Sequence, residues 1–123
     1  MALKDSVNEV LGCKIFKGIT KDELIQTFEH IHYQIRKFEK AQYITLRGNV
    51  CQELLILIQG TVKAEIKNFN DTTVKIAEIN APDSLASAFL FGEKNFYPVD
   101  VMAETEVQIL WIPKNVGLKL FKF

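Results

Sequence analysis

The sequence has no excess charge of either sign, because 15 lysine and arginine residues balance 15 aspartate and glutamate residues. Proteins that hold DNA or RNA through its phosphates usually show a basic bias. We therefore expect this chain alone not to bind nucleic acid. Its 48% hydrophobic and 24% charged residues are typical of a globular protein, which excludes intrinsic disorder as the main state. The length of 123 residues suits one domain with a substantial core.

Cysteine is scarce. The sequence has two, Cys13 and Cys51, which are 38 positions apart. Without a Cys-x-x-Cys spacing, the sequence specifies neither a dithiol redox motif nor a four-ligand zinc site. We predict that both are reduced, buried thiols.

Long hydrophobic runs and targeting signals are also missing. The longest aliphatic run, residues 54–58, has five members, whereas a membrane-spanning helix needs about 20. Residues 1–10 lack the apolar segment of a secretory signal. We expect a cytoplasmic protein without a membrane partner.

Recognisable catalytic patterns are absent as well. We find no Ser-His-Asp arrangement, no glycine-rich phosphate loop and no metal-binding spacing. Asp100 and Glu104 lie two strand periods apart with no candidate nucleophile or histidine near them, and we interpret them as solvated strand charges. The sequence therefore predicts a protein that is not an enzyme.

Helical patterns are short and lie mainly near the N-terminus. Thr20 and Glu23 have the spacing of a capping box, which predicts a helix that starts at Thr20. Leu24, Ile25, Phe28 and Ile31 then recur at helical spacing, so we expect one buried face and an end near Ile31. A further helical turn is expected around residues 4–11, closed by Gly12.

From Tyr33 onward the hydrophobic period is two, which is typical of half-buried strands. We expect the strands at residues 53–58 and 61–67 to pair as a hairpin through Gln59 and Gly60. A short helix is expected over residues 85–90. These patterns predict a mainly β fold with flanking short helices, arranged as an antiparallel sandwich or roll. The predicted strands cover residues 33–38, 43–46, 53–58, 61–67, 73–79, 99–103 and 107–113.

Three segments in this order resemble the N-terminal sensor domain of Crp/Fnr transcriptional regulators, a cyclic-nucleotide-binding β-roll. They are the Ile-Phe-Lys-Gly-Ile-Thr entry at residues 15–20, the Leu-Ile-Leu-Ile-Gln-Gly-Thr-Val segment at 55–62, and residues 103–113. The resemblance implies an antiparallel double-stranded β-helix, or jelly roll, over residues 1–113. It also implies that residues 114–123 begin a truncated dimerisation helix and that a C-terminal helix-turn-helix domain is absent from this sequence.

The family's nucleotide-binding signature does not occur in this chain. Members that bind a cyclic nucleotide have a Gly-Glu pair for the ribose, and an Arg-Ser or Arg-Thr pair about ten residues later for the phosphate. The aligned positions here are Ala86-Ser87 and Tyr97-Pro98, and no arginine follows Arg47. Tyr97 supplies no cation, and Pro98 has neither a hydroxyl nor an amide proton. Cyclic AMP and cyclic GMP are therefore disfavoured as ligands.

The resemblance nevertheless implies an effector-sensing domain that controls DNA binding allosterically. The full-length protein would be a homodimer that contacts DNA only through the absent domain, and a small molecule would be the effector. The family position of the ligand places the effector pocket at Ser84, Leu85, Ala86, Ser87, Ala88, Tyr97, Pro98 and Val99.

Alternatives remain open at this level, and the cofactor is unknown. Some Crp/Fnr relatives sense gases or redox state through haem, for which the candidate axial ligands are His30, His32, Met102 and Cys51. The metal-binding cupin rolls need a histidine cluster that two histidines before the roll do not match. A regulatory domain of a kinase or channel would share the fold, and the missing Glu and Arg count against nucleotide binding there too.

Overall fold

A computed structural model describes residues 18–30, 32–85 and 96–113 of the chain. Its helix, α1, spans Lys21–Glu29 and has Thr20 as its N-cap. The Thr20 hydroxyl accepts a hydrogen bond from the Glu23 amide at 3.2 Å and donates to Glu23 Oε1 at 3.0 Å. The helix buries Leu24 and Phe28. The predicted start of this helix is confirmed, and its end lies two residues before the expected one.

Eight antiparallel strands form two four-stranded sheets in the part of the chain that the structure describes. In the first sheet the order is β1-β8-β3-β6, and in the second it is β2-β7-β4-β5. This architecture confirms the predicted jelly-roll class of fold. The strands are β1 Gln34–Phe38, β2 Tyr43–Thr45, β3 Glu53–Gln59, β4 Thr61–Lys67, β5 Thr73–Asn80, β6 Asp83–Leu85, β7 Asp100–Ala103 and β8 Val107–Pro113.

The expected hairpin between β3 and β4 is wrong. The two strands are separated by Gly60 alone and belong to different sheets. A tight hairpin needs at least two loop residues to reverse the chain within one sheet, so Gly60, with φ of 91°, instead forms a corner between the sheets. β4 pairs with β5, from Thr61 opposite Asn80 to Lys67 opposite Thr73.

The core is densest around β3. Residues 54–58 of this strand are at most 2% exposed. Because neighbouring residues of a strand point to opposite faces, five consecutive buried side chains mean that both faces of the strand are covered. Full burial of one such side chain stabilises the fold by about 1.5–3 kcal/mol. The aliphatic run is thus a strand, as expected, and the structure places it inside the first sheet between β8 and β6.

The helix predicted over residues 85–90 does not begin at Leu85 in the structure. Residues 83–85 form β6, an edge strand in which Leu85 lies opposite Leu55 and Ser84 lies opposite Ile56. The expected helix therefore does not include Leu85, because pairing with β3 and burial to 3% exposure hold this residue in the sheet. Residues 86–90, where the rest of that helix was predicted, lie outside the described residues.

Within the described ranges, no helix has the length and apolar character needed to cross a membrane. Cys51 is a buried, reduced cysteine, as predicted. Cys13 and the helical turn expected over residues 4–11 lie outside the described residues, as do the residues after Pro113.

Candidate functional site

The predicted effector residues fall on two segments of the described chain. Ser84, half-buried, and Leu85, buried, end β6. Tyr97, buried, Pro98, exposed, and Val99, half-buried, lead into β7. The other three predicted residues, Ala86, Ser87 and Ala88, lie outside the described residues.

Tyr97 is held both through its backbone and by burial of its ring. Its backbone N–H donates to the Asn49 carbonyl at 2.9 Å, and its own carbonyl accepts from the Gly48 amide at 2.8 Å. Its side chain is 5% exposed and belongs to the main hydrophobic cluster. Burial raises the pKa of the Tyr97 phenol, and the neighbouring Cys51 and the negative charge of Glu53 raise it further. The position that we predicted to align with the family's arginine holds a buried tyrosine ring with a raised pKa.

Tyr97 also lines a cavity of about 180 Å³ between the two sheets. Ile44 and Thr45 of β2 form one wall, and Leu55 and Trp111 of the first sheet form the other. Its polar lining includes Asn49 and Gln52 from the segment that joins β2 to β3, Glu53 at the start of β3, and Thr45 of β2. Glu53 is the single ionisable carboxylate in this lining, which contains no lysine or arginine.

A second cavity, of about 110 Å³, shares Glu53 and Trp111 with the first. His32 and Gln34 complete its polar lining. The register explains the sharing, because β8 lies between β1 and β3 and places Trp111 opposite both Gln34 and Leu55. These two cavities thus meet around one carboxylate and one indole.

Trp111 makes a cation–π contact with Arg36. The Arg36 guanidinium lies over its ring, 4.2 Å from the centroid, and Arg36 donates two hydrogen bonds to Gln34 Oε1, at 2.8 and 3.0 Å. The Trp111 Nε1 atom is buried and has no hydrogen-bond partner.

Sequence analysis missed Gln52, Glu53 and Trp111 as site residues. Trp111 is the one tryptophan of the chain, which was a usable signal. Nothing in the local pattern around Glu53 distinguished it from a solvated charge at a strand end.

The candidate haem ligands lie on separate elements. His30 is the exposed C-cap residue of α1, and His32 is exposed just before β1. Met102 is half-buried on β7 in the other sheet, where it lies opposite Tyr43 and Lys63. Cys51 is 1% exposed. Across the described ranges, no group of three or more His, Cys, Asp or Glu side chains is placed to hold a metal ion.

Comparison with solved structures identifies close fold relatives. A transcriptional regulator from Thermotoga maritima is 34% identical over 71% of this chain and 67% of its own, with a TM-score of 0.68. The sensor domain of the transcriptional regulator DNR from Pseudomonas aeruginosa shares the fold at 15% identity, over 97% of this chain and 78% of its own, with a TM-score of 0.80.

The Thermus thermophilus catabolite activator protein also shares the fold. It is 16% identical over 88% of this chain, with a TM-score of 0.73, and this chain spans 49% of its length. No curated protein is similar enough in sequence to count as a relative. Residues 35–122 match the family described as the cyclic nucleotide-binding domain. Because that match covers more than half of its residues, this chain belongs to the cyclic nucleotide-binding domain family.

Proposed function

We propose that this domain is the effector-sensing part of a Crp/Fnr-type transcriptional regulator and that its effector is neither cyclic AMP nor cyclic GMP. Three features support the regulator assignment: membership of the domain family, 34% identity with a transcriptional regulator, and a fold shared with the sensor domain of another.

The observation that carries the proposal against cyclic nucleotides is the buried, neutral Tyr97. A cyclic phosphate keeps one negative charge, and burying a charge without a partner is costly. A hydrogen bond to a charged group contributes about 1.5–3 kcal/mol. Loss of the Arg and Glu contacts therefore weakens binding by a factor of about 10²–10⁴. Glu53, in the cavity that Tyr97 lines, adds repulsion instead of attraction.

In this proposal the effector contacts Ser84, Leu85, Ala86, Ser87, Ala88, Tyr97, Pro98 and Val99. The helix that begins after Pro113 pairs two subunits, and a following helix-turn-helix domain binds DNA. An effector that binds one arrangement of that helix more tightly shifts the dimer toward it, and the DNA affinity changes by the same coupling free energy.

Calorimetry with this domain tests the ligand part. Cyclic AMP and cyclic GMP are expected to show no saturable binding at micromolar concentrations, and a micromolar dissociation constant for either would refute the argument from Tyr97. An absorbance scan with added haemin tests the haem alternative. A sharp Soret shift that Met102→Leu or His32→Gln abolishes would make haem the ligand instead.

The regulatory part is tested in the natural polypeptide that carries this domain. We expect a dimer in solution and a mobility shift with DNA from its own promoter region. A polypeptide that is monomeric and fails to retard that DNA would contradict the regulator assignment, whatever the outcome with nucleotides.

A further inference from the structure

Glu53 is a half-buried carboxylate at the junction of the two cavities. Among the residues that the structure describes, none forms a hydrogen bond or an ion pair with the side-chain carboxylate of Glu53, although its backbone belongs to β3. Buried and half-buried charges in proteins are normally paired. The negative charge of Glu53 also acts on the Tyr97 phenol, whose pKa it helps to raise, so this charge is felt within the larger cavity.

The formal charge of the larger cavity favours a cation over an anion. Its formal charge comes from Glu53 alone. Thr45, Asn49 and Gln52 also line the cavity, and the side chain of each carries an oxygen that can accept a hydrogen bond. An ammonium group has three donors and no acceptor, and these oxygens complement it.

The walls add aromatic and aliphatic surface. Trp111 and Tyr97 both line the cavity, and the faces of such rings attract cations. Trp111 already binds one in this way, because Arg36 lies 4.2 Å from its centroid. Arg36 is tied to Gln34 and is not part of the cavity lining. Ile44 and Leu55 supply apolar wall for a short alkyl stem.

We infer that the cavity between Glu53 and Trp111 is a binding site for a small aliphatic primary ammonium ion. The Glu53 carboxylate accepts from the ammonium group, and the alkyl stem lies against the apolar wall. The volume of about 180 Å³ is below the 300–1,000 Å³ that holds drug-sized ligands, so the stem is short. This site does not depend on the regulator assignment or on the residues expected to contact the effector, except Tyr97.

The single tryptophan makes the site directly observable, since its fluorescence reports on Trp111 alone. The domain is titrated at constant ionic strength with n-butylammonium chloride, with n-butanol as a neutral analogue and with sodium butyrate as an anionic one. Saturable quenching by butylammonium is expected, at least tenfold tighter than any effect of butanol, and none by butyrate. Equal responses to butylammonium and butanol, or no saturation by butylammonium up to 50 mM, would overturn the inference.

Glu53→Gln keeps the size of the side chain and removes its charge. It is expected to weaken butylammonium binding about 10- to 100-fold, the effect of losing one charged hydrogen bond. Glu39→Gln is the matched control, because Glu39 is exposed beyond the end of β1 that is farthest from Gln34. The affinity of the Glu39→Gln variant for butylammonium is expected to stay within twofold of the wild-type value.

Circular dichroism and melting temperature establish that both variants fold. If Glu53→Gln does not fold, the comparison of butylammonium with butanol on the wild-type domain decides the question. Unchanged affinity in a folded Glu53→Gln variant would overturn the site. A cyclic nucleotide that binds would contradict the proposed function but leave this result intact.

Discussion

Gly60 lies against the backbone carbonyl of Glu106, so closely that no β-carbon fits between them. A β-carbon on Gly60 would also meet Val107 Cγ1 at 2.7 Å and Thr105 Oγ1 at 3.0 Å. At this point the chain leaves the first sheet and enters the second, with φ of 91°. The corner therefore requires glycine twice, once for the backbone angle and once for the space.

Gly60→Ala is expected to lower the free energy of unfolding by about 3 kcal/mol. Left-handed backbone costs a non-glycine residue about 1–2 kcal/mol, and the clash with a backbone carbonyl adds about 1–3 kcal/mol. Gly48→Ala is the matched control, because Gly48 has φ of 90° but open space around it. Urea denaturation measures both, and equal losses would show that the contact with Glu106 does not matter.

Thr20→Ala tests the cap of α1. Loss of the bond from the Glu23 amide to the Thr20 hydroxyl is expected to destabilise the domain by about 0.5–2 kcal/mol. Thr20→Ser keeps the hydroxyl and is expected to remain within 0.5 kcal/mol or so of wild type. The same loss in both variants would mean that the methyl group, and not the cap, is what stabilises the helix.

The buried Tyr97 phenol is expected to make the protein less stable in alkali. Its pKa is raised in the folded state, first by burial and then by Cys51 and Glu53. The unfolded chain therefore releases this proton first, near its ordinary value of 10.0, and stability falls as the pH rises above that value. The slope is at most about 1.4 kcal/mol per pH unit, and Tyr97→Phe is expected to remove it.

Unfolding free energies at pH 8 and pH 11 measure the slope for Tyr97. Ultraviolet absorbance gives a second readout, since one of the three tyrosines is expected to ionise only as the protein unfolds. Ionisation of all three in the folded protein near the ordinary value would contradict the burial of Tyr97.

The Glu104 carboxyl is expected to make the stability of the protein fall in acid. A hydrogen bond that the Glu78 carboxyl can donate when it is protonated, and the bond from Lys75 Nζ, at 2.8 Å, lower the pKa of the Glu104 carboxyl. A lowered folded-state pKa stabilises the protein above the ordinary value of 4.5, and this contribution disappears as the pH falls through the folded-state value. Lys75→Met is expected to raise the pKa of Glu104, as measured by NMR of the carboxyl carbon.

Lys67→Met is the control for Lys75→Met. Lys67 is an exposed lysine that pairs with Asp71 near the tip of the β4–β5 hairpin, so its loss is expected to leave the titration of Glu104 unchanged. A shift of the same size in both variants would indicate a general charge effect instead of the Lys75 contact.

Local patterns were enough for the elements whose formation depends on near neighbours. The capping box of Thr20 and Glu23 predicted the start of α1, because the bonds that form it join residues three apart. The period of two predicted β8, because alternation expresses the two faces of a strand, and the unbroken aliphatic run of residues 54–58 predicted β3. The same residues, in order, carried the resemblance to a family that the match over residues 35–122 then supported at the level of the domain.

The local patterns could not predict which strands pair or which residues line the cavity. The interval between residues 58 and 61 is compatible with a hairpin or with a corner, and contact with Glu106, 46 positions further along, makes it a corner. Glu53 and Tyr97 line one cavity although 44 positions separate them. Hydrophobic periodicity records which side of an element faces the core, whereas the choice of partner strand depends on long-range packing that no short window of residues contains.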